Sequence, residues 1–223
     1  RIDPPPLEPR FKISGSDLWS DAPGFEAATV ATGITGICGS GIIEVIAEMY
    51  LAGIINQDGV LLGSLAKRSD RVIKAGRTYS YILHRGATTL QISQNDVRAI
   101  QLAKAALYAG IKLLMEHLGI ENVERIRLAG AFGAHIDVKY AMVLGMVPDC
   151  DLAQVTSAGN AAGAGARIAL LDVEARTEIE NLVRRVEKIE TAVEPRFQQH
   201  FVEAMAIPHK TAPYEKLRLA VAL

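Results

Sequence analysis

The chain has 223 residues, a length that suits one large domain or two small ones. Hydrophobic residues make up 49% of the chain and aromatic residues only 5%, so the core must be built mainly from aliphatic side chains. The formal net charge of -1 and the lack of a basic stripe interleaved with aromatics argue against nucleic acid and anionic membranes as partners.

The two cysteines, Cys38 and Cys150, lie far apart and belong to no CxxC or His/Cys cluster. Their spacing argues against a zinc or iron–sulfur site in this chain and favours a reducing, cytoplasmic compartment. The sequence shows no apolar run long enough to span a membrane and no signal peptide. Because the chain begins at Arg1 rather than at a methionine, we expect it to be a piece of a longer protein.

Residues 1–30 have the composition of a linker that leads into a domain at residues 31–223. The proline-rich run at residues 3–9 favours extended backbone. Phe11 and Ile13 alternate with polar residues, which is typical of a short strand. We expect the whole segment to act as a surface tether.

A glycine-rich stretch at residues 33–41 precedes a predicted helix at residues 42–52, with Gly53 just beyond its end. The sequence Gly39-Ser40-Gly41 at a helix start exposes backbone N–H groups that suit an anion. The stretch lacks the lysine and the spacing of a P-loop, so it does not predict that motif.

Residues 54–95 predict short strands bounded by glycine and charge, with a loop at residues 64–69. The strand candidates lie at residues 60–62, 71–73, 79–83 and 89–92. The longest helix follows and runs to about Leu118, and either Ser93 or Asn95 can cap its start.

The long helix has an unusually wide apolar face. Gln101 and Lys104 share one side of it because they are three residues apart. The spacing favours a solvated Lys104 whose stem lies along apolar surface. The alternative is that Lys104 contacts a nucleotide.

A glycine-rich turn interrupts the chain after the long helix. Ile126 and Leu128 indicate a short strand that stops at Gly130-Ala131-Phe132-Gly133. A helix follows, and Asp137 is suited to cap its first turn. The order of strand, turn and helix is typical of α/β folds, which bind ligands where the strands end.

A second stretch of small residues, residues 159–166, begins at Gly159-Asn160 and precedes a predicted apolar helix at residues 167–173. Two interpretations of the paired turns stay open. They form the walls of one nucleotide pocket, or their small residues let helices pack closely on a sheet without any ligand.

The remaining sequence predicts amphipathic helices at residues 174–190 and 196–205, then a final strand at residues 217–221. These helices favour packing or a dimer surface rather than chemistry. The chain contains no nucleophile elbow, no HExxH motif and no paired histidines, so its pattern leaves the catalytic residues unknown.

Five blocks of the sequence lie at residues 37–43, 96–106, 128–137, 145–148 and 159–166. In this order they resemble the C-terminal ATP-binding domain of reductive activators of corrinoid-dependent enzymes. Those activators belong to the superfamily of acetate and sugar kinases, heat-shock chaperone ATPases and actin. The resemblance covers roughly residues 30–210.

The resemblance implies a ribonuclease H-like or actin-like ATPase half-fold, with a mixed α/β arrangement of sheet and flanking helices and a helical C-terminal tail. It implies a parent protein that uses ATP to reduce cob(II)alamin to cob(I)alamin in a corrinoid methyltransferase partner. ATP with Mg²⁺ is the implied cofactor of this domain. The resemblance places a 2Fe–2S ferredoxin centre in a separate N-terminal domain, and the helical tail can support a homodimer.

The same resemblance assigns the site residues. It makes Gly130, Ala131, Phe132 and Gly133 the adenosine-binding turn, and it places Gln101 and Lys104 on the purine or ribose side. The other candidates for binding the cofactor are Gly159, Asn160, Gly39, Ser40 and Gly41.

The chain departs from the superfamily in one respect. It lacks the Asp-x-Gly-Thr turn with which the superfamily binds phosphate, so we expect it to hold mainly the second half of the fold. Alone it should be a poor ATPase without a redox centre. Two alternatives remain open: a kinase-like protein that acts on a small molecule, and a docking or dimerisation module that no longer binds nucleotide.

Overall fold

The computed structural model describes residues 1–3, 6–130, 133 and 135–221 of the chain. Its strands are β1 (Ile2–Asp3), β2 (Glu8–Pro9), β3 (Val72–Ala75), β4 (Thr78–His84), β5 (Leu90–Ser93), β6 (Ile126–Ala129) and β7 (Val155–Gly159). Its α-helices are α1 (Phe25–Thr29), α2 (Gly39–Leu51), α3 (Gln94–His117), α4 (Val138–Val143), α5 (Ala161–Leu171), α6 (Val173–Val183), α7 (Phe197–Glu203) and α8 (Glu215–Val221). Short 3-10 helices lie at Gly63–Lys67, Leu152–Gln154 and Thr191–Val193.

The strands form a mixed set of small sheets. β3, β4 and β5 make an antiparallel meander, whereas β6 and β7 pair in parallel across α4. β1 and β2 form a separate antiparallel pair. Parallel pairing needs a crossover connection, and α4 with the loops around it supplies one between β6 and β7.

The core is mainly aliphatic, as the composition predicts. It joins α2, α3, α4 and the meander, and it extends to the last helix of the described chain. Its largest fully buried apolar side chains are Tyr81, Tyr214, Ile46, Met49, Ile54, Ile55, Ile92, Met142, Leu144, Ile207 and Leu217. Within the described residues, no helix combines the length and the apolarity needed to cross a lipid bilayer.

The leading segment is packed against this core. Ile2 and Leu7 are buried in it, and the Tyr81 hydroxyl donates a hydrogen bond to the Leu7 carbonyl at 2.8 Å. The expectation of a surface tether is therefore wrong for these residues. The strand predicted at Phe11 and Ile13 is absent from the described segment, where the extended pairs are β1 and β2. The domain boundary at residue 30 stays a prediction.

The structure agrees with the capping residues predicted at several helix ends. Ser93, one of the two candidate caps, caps α3 in a reciprocal capping box with Asp96, and the helix then runs unbroken for 24 residues. Asp137 caps α4 by accepting the Lys139 N–H at 2.8 Å. Gly53 follows α2 with a positive φ of 67°. These helices are confirmed, and α2 begins three residues before the predicted start.

Three of the four strand predictions in residues 54–95 are confirmed as β3, β4 and β5. The fourth, at residues 60–62, is wrong, because that segment makes only one isolated bridge between Ile55 and Leu61. Residues 64–69, predicted as a loop, lie largely in the 3-10 helix Gly63–Lys67.

The second glycine-rich stretch is helical rather than a turn. α5 begins at Ala161, six residues before the predicted start, because the Asn160 side chain accepts the Gly163 N–H at 3.0 Å and caps the helix there. The next predicted helix is confirmed as α6, although it ends at Val183. The helix predicted at residues 196–205 is confirmed as α7.

The strand predicted at residues 217–221 is wrong, because this segment is the helix α8. The Asp149 carboxylate accepts the N–H groups of Lys216 and Leu217 at 2.9 and 3.1 Å. This cap comes from a distant part of the chain, so it satisfies the first turn of a helix that has no local capping signal.

Gly145 offers a direct test of how closely the last third of the chain packs. Its φ is +72°, and a Cβ added there would lie 1.9 Å from the Pro208 carbonyl oxygen. We expect Gly145→Ala to lower the free energy of unfolding by about 3 kcal/mol or more, measured by urea denaturation, because backbone strain and a backbone clash add together.

The matched control for this change is Gly76→Ala. Gly76 also has a positive φ, +62°, but a Cβ there would meet nothing within 4 Å. We expect a loss of about 1–2 kcal/mol from the left-handed backbone alone. Equal losses for the two variants would contradict the close approach of Gly145 to Pro208.

Candidate functional site

The two parallel strands end side by side at glycines. The Gly130 N–H donates a hydrogen bond to the Gly159 carbonyl at 2.9 Å. Both glycines have positive φ, +115° and +64°, and a Cβ built on either would meet nothing within 4 Å. The structure therefore brings these two predicted residues together, with open space beside the ends of β6 and β7.

Neighbouring candidate residues support the ends of these strands. The Ser157 hydroxyl donates to the Gly133 carbonyl at 3.3 Å, which ties the loop after β6 to β7. A Cβ at Gly133 would lie 3.1 Å from the Ala129 carbonyl oxygen, so the loop turns closely over the end of its own strand. Asn160 caps α5 directly after Gly159. Ala131 and Phe132 lie outside the described residues.

The start of α2 opens onto a cleft of about 660 Å³. Ser40 and Gly41 line the cleft, and Gly39 is the first residue of the helix. The residue before the helix, Cys38, makes no side-chain cap, and among the described residues no side chain satisfies the N–H groups of the first turn there. These groups and the helix dipole favour a negatively charged ligand at this end.

Opposite signs of charge lie on the two walls of the cleft. Arg10 and Lys12 come from the leading segment, and the Lys12 ammonium lies 5.3 Å from the centre of the Trp19 ring. Glu44 and Asp137 lie on the helical wall. Burial raises the pKa of Glu44, and the negative charge of Asp137 raises it further.

Asp137 lies on the helical wall of the cleft. It lines the cleft together with Ser40 and Gly41, and it caps α4, the helix between β6 and β7. α2 and α4 pack against each other, which holds the starts of both helices at this wall. The helix that connects the two parallel strands therefore begins at this wall.

The sequence pattern did not predict that the leading segment contributes residues to the cleft. Arg10, Lys12 and Trp19 were assigned to a linker, although Trp19 is the single tryptophan of the chain. The lone tryptophan close in sequence to Arg10 and Lys12 could have indicated this cluster, because Arg and Lys side chains stack readily on that ring.

Gln101 is engaged by the protein itself. The side chain is 1% exposed, and its amide nitrogen donates to the carbonyls of Asp58 and Met205 at 3.0 and 2.8 Å. It does not line the cleft. A contact between Gln101 and the purine or ribose stays a prediction.

Lys104 is 2% exposed, so the expectation of a solvated side chain is wrong. Its ammonium group donates to the carbonyls of Ala206 and Pro208, the latter at 2.7 Å. Burial lowers the pKa of Lys104 to about 7. Lys104 and Gln101 together fasten residues 205–208 to α3, and a nucleotide contact of Lys104 also stays a prediction.

The buried lysine makes stability depend on pH. The unfolded chain holds the Lys104 proton up to its ordinary pKa of 10.5, whereas the folded chain loses it near pH 7. The unfolded state therefore binds more protons between these values. We expect the free energy of unfolding to rise with pH from 7.5 to 9, by about 1.4 kcal/mol per unit from this group.

Urea denaturation at several pH values checks this dependence. Lys104→Met keeps the length of the side chain but cannot titrate, so the rise should flatten by that amount. Lys112→Met, on the same helix, is the control and should keep the slope. If the Lys104 variant kept the full slope, the assignment of this titration would be wrong.

Comparisons with known proteins cover most of the chain. A family model described as the C-terminal domain of RACo, the ASKHA domain, matches residues 1–218. The corrinoid activation enzyme RamQ of Eubacterium limosum is 37% identical over 179 residues, which cover 75% of this chain. A solved structure, the reductive activator for corrinoid, iron-sulfur protein, is 31% identical with a TM-score of 0.70 over 78% of this chain.

These comparisons confirm the resemblance seen in the sequence and the mixed α/β fold that it implies. The chain is also much shorter than these relatives. The chain spans 30% of the curated relative and 28% of the solved structure.

Proposed function

Because the chain belongs to the family of RACo C-terminal ASKHA domains, we propose that it is the nucleotide-binding part of an ATP-dependent reductive activator. The parent protein would reduce cob(II)alamin to cob(I)alamin in a corrinoid methyltransferase partner. The names of both relatives support a corrinoid partner. The observation that best supports a nucleotide site is the open space beside Gly130 and Gly159.

The geometry supports a placement for ATP with its Mg²⁺. The nucleoside lies against the bare backbone at Gly130 and Gly159, where no Cβ intervenes. The phosphates extend toward Ser40 and Gly41, where an uncapped helix start favours negative charge. Lys12, on the facing wall, adds a cation to that end of the cleft.

The chemistry divides between this domain and the rest of the parent protein. ATP supplies the free energy for an unfavourable transfer of an electron to cobalt, and we assign the 2Fe–2S electron carrier to a separate N-terminal domain. This chain binds and orients the nucleotide, and its first-half counterpart completes the phosphate site. We place the protein in the cytoplasm.

The nucleotide site can be tested with Gly130→Val in the full-length protein. The branched side chain fills the space beside the strand ends, so we expect the Kd for ATP, measured by calorimetry, to rise at least about tenfold. Gly76→Val is the control, because Gly76 also has a positive φ and open surroundings but lies in the β3–β4 turn. Unchanged ATP affinity in the Gly130 variant would refute the placement.

The activation step needs a separate experiment. The full-length protein, a corrinoid methyltransferase, ATP and a low-potential reductant are mixed, and the cob(II) to cob(I) absorbance change is followed. We expect the change to require ATP and to slow at least about tenfold with Gly130→Val at subsaturating ATP. ATP binding without any cobalt reduction would favour the kinase-like alternative, and an absence of ATP binding would favour the docking module.

A further inference from the structure

The strand β7 contains a β-bulge immediately before its last residue. Leu128 of β6 pairs with Ser157. The next pair joins Ala129 to Gly159, so Ala158 is an extra residue in β7. Bulges are rare between parallel strands, they redirect the side chains beside them, and they are over-represented next to active sites. This bulge lies at the strand end that borders the open space beside Gly159.

Ser157, just before the bulge, lies at a strand position that faces the core. Side chains alternate along a strand, so Ser157 shares a face with Val155, which is buried. At this point the chain carries an exposed hydroxyl instead of an apolar side chain. The loop after β6 crosses here, and its Gly133 carbonyl accepts the hydrogen bond of the Ser157 hydroxyl at 3.3 Å.

The same hydroxyl makes a second hydrogen bond. It accepts the Gly159 N–H at 3.2 Å. A serine hydroxyl has one proton to donate and two lone pairs, so Ser157 can make both contacts at once. One oxygen atom therefore joins the loop after β6, through Gly133, to the end of β7, through Gly159.

We propose that Ser157 is a positioning residue of the nucleotide site, an inference that rests on the proposed function. Its hydroxyl holds the two strand ends in the arrangement that accepts the nucleoside. Gly130 and Gly159 both have positive φ and open space beside them, and glycine loses more conformational freedom on ordering than any other residue. A tie that is present before ATP arrives removes part of this entropic cost from binding. Ser157 acts through the backbone and needs no contact with ATP.

Calorimetry with ATP on the full-length protein tests this role. We expect Ser157→Ala to raise the Kd for ATP about fivefold, because hydrogen bonds of 3.2 and 3.3 Å are long and each contributes a modest net free energy. Ser157→Thr keeps the hydroxyl and should bind ATP within about twofold of the unchanged protein. Thr156→Ala is the control, because it removes a hydroxyl from the adjacent exposed position on the opposite face of β7 and should leave the Kd unchanged.

Hydrogen exchange distinguishes positioning from a general loss of stability. Without ATP, Ser157→Ala should speed exchange in the peptide that contains Gly159 at least about threefold, because the Gly159 N–H loses its acceptor. Peptides from the middle of α3 should keep their exchange rates. Faster exchange in both places would show that the variant loosens the whole domain, and a specific positioning role would then be wrong.

Gly130→Val, measured in the same calorimetry series, separates this inference from the proposed function. If Gly130→Val weakens ATP binding and Ser157→Ala does not, Ser157 has no positioning role and the nucleotide placement stands. If neither variant weakens binding, the placement itself fails and the role of Ser157 fails with it. A Ser157→Thr variant that binds as weakly as the alanine variant would also overturn the proposal, because the hydroxyl would then not be the group that positions the strand ends.

Discussion

The hydrogen bond between Gly130 and Gly159 holds together the part of the molecule on which the proposed function depends. It aligns the carboxyl ends of two parallel strands, so that two stretches of bare backbone lie next to each other. Parallel pairing sends the next segment after each strand to the same edge. The helix α4, which follows β6, begins after Asp137 on the wall of the cleft that the start of α2 also lines.

The sequence predicted those elements whose ends are fixed by residues nearby in the chain. The capping box at Ser93 and Asp96 set the start of α3, and Asp137 marked the start of α4. The three strands of the meander followed from short β-rich runs bounded by glycine and charge, although their pairing was not predicted. The family resemblance added what no local signal contains, namely the fold as a whole and the superfamily to which it belongs.

The failures come from contacts between distant parts of the chain. α8 was predicted as a strand because its cap, Asp149, lies 67 residues before Lys216. Lys104 was expected in water because the carbonyls that bind it come more than 100 residues later. The start of α5 was misplaced for a different reason. Glycines at residues 163 and 165 suggested a turn, but the Asn160 cap and the surrounding alanines favour helix.

The fastening of residues 205–208 to α3 has a practical consequence for handling this protein. Any shortened version that stops before Ala206 would leave the amine of Lys104 facing hydrocarbon without the two carbonyls that accept its hydrogen bonds. Residues 205–208 thus serve as a lining for the middle of the longest helix. Affinity tags and fusion partners are better attached beyond that lining than substituted for it.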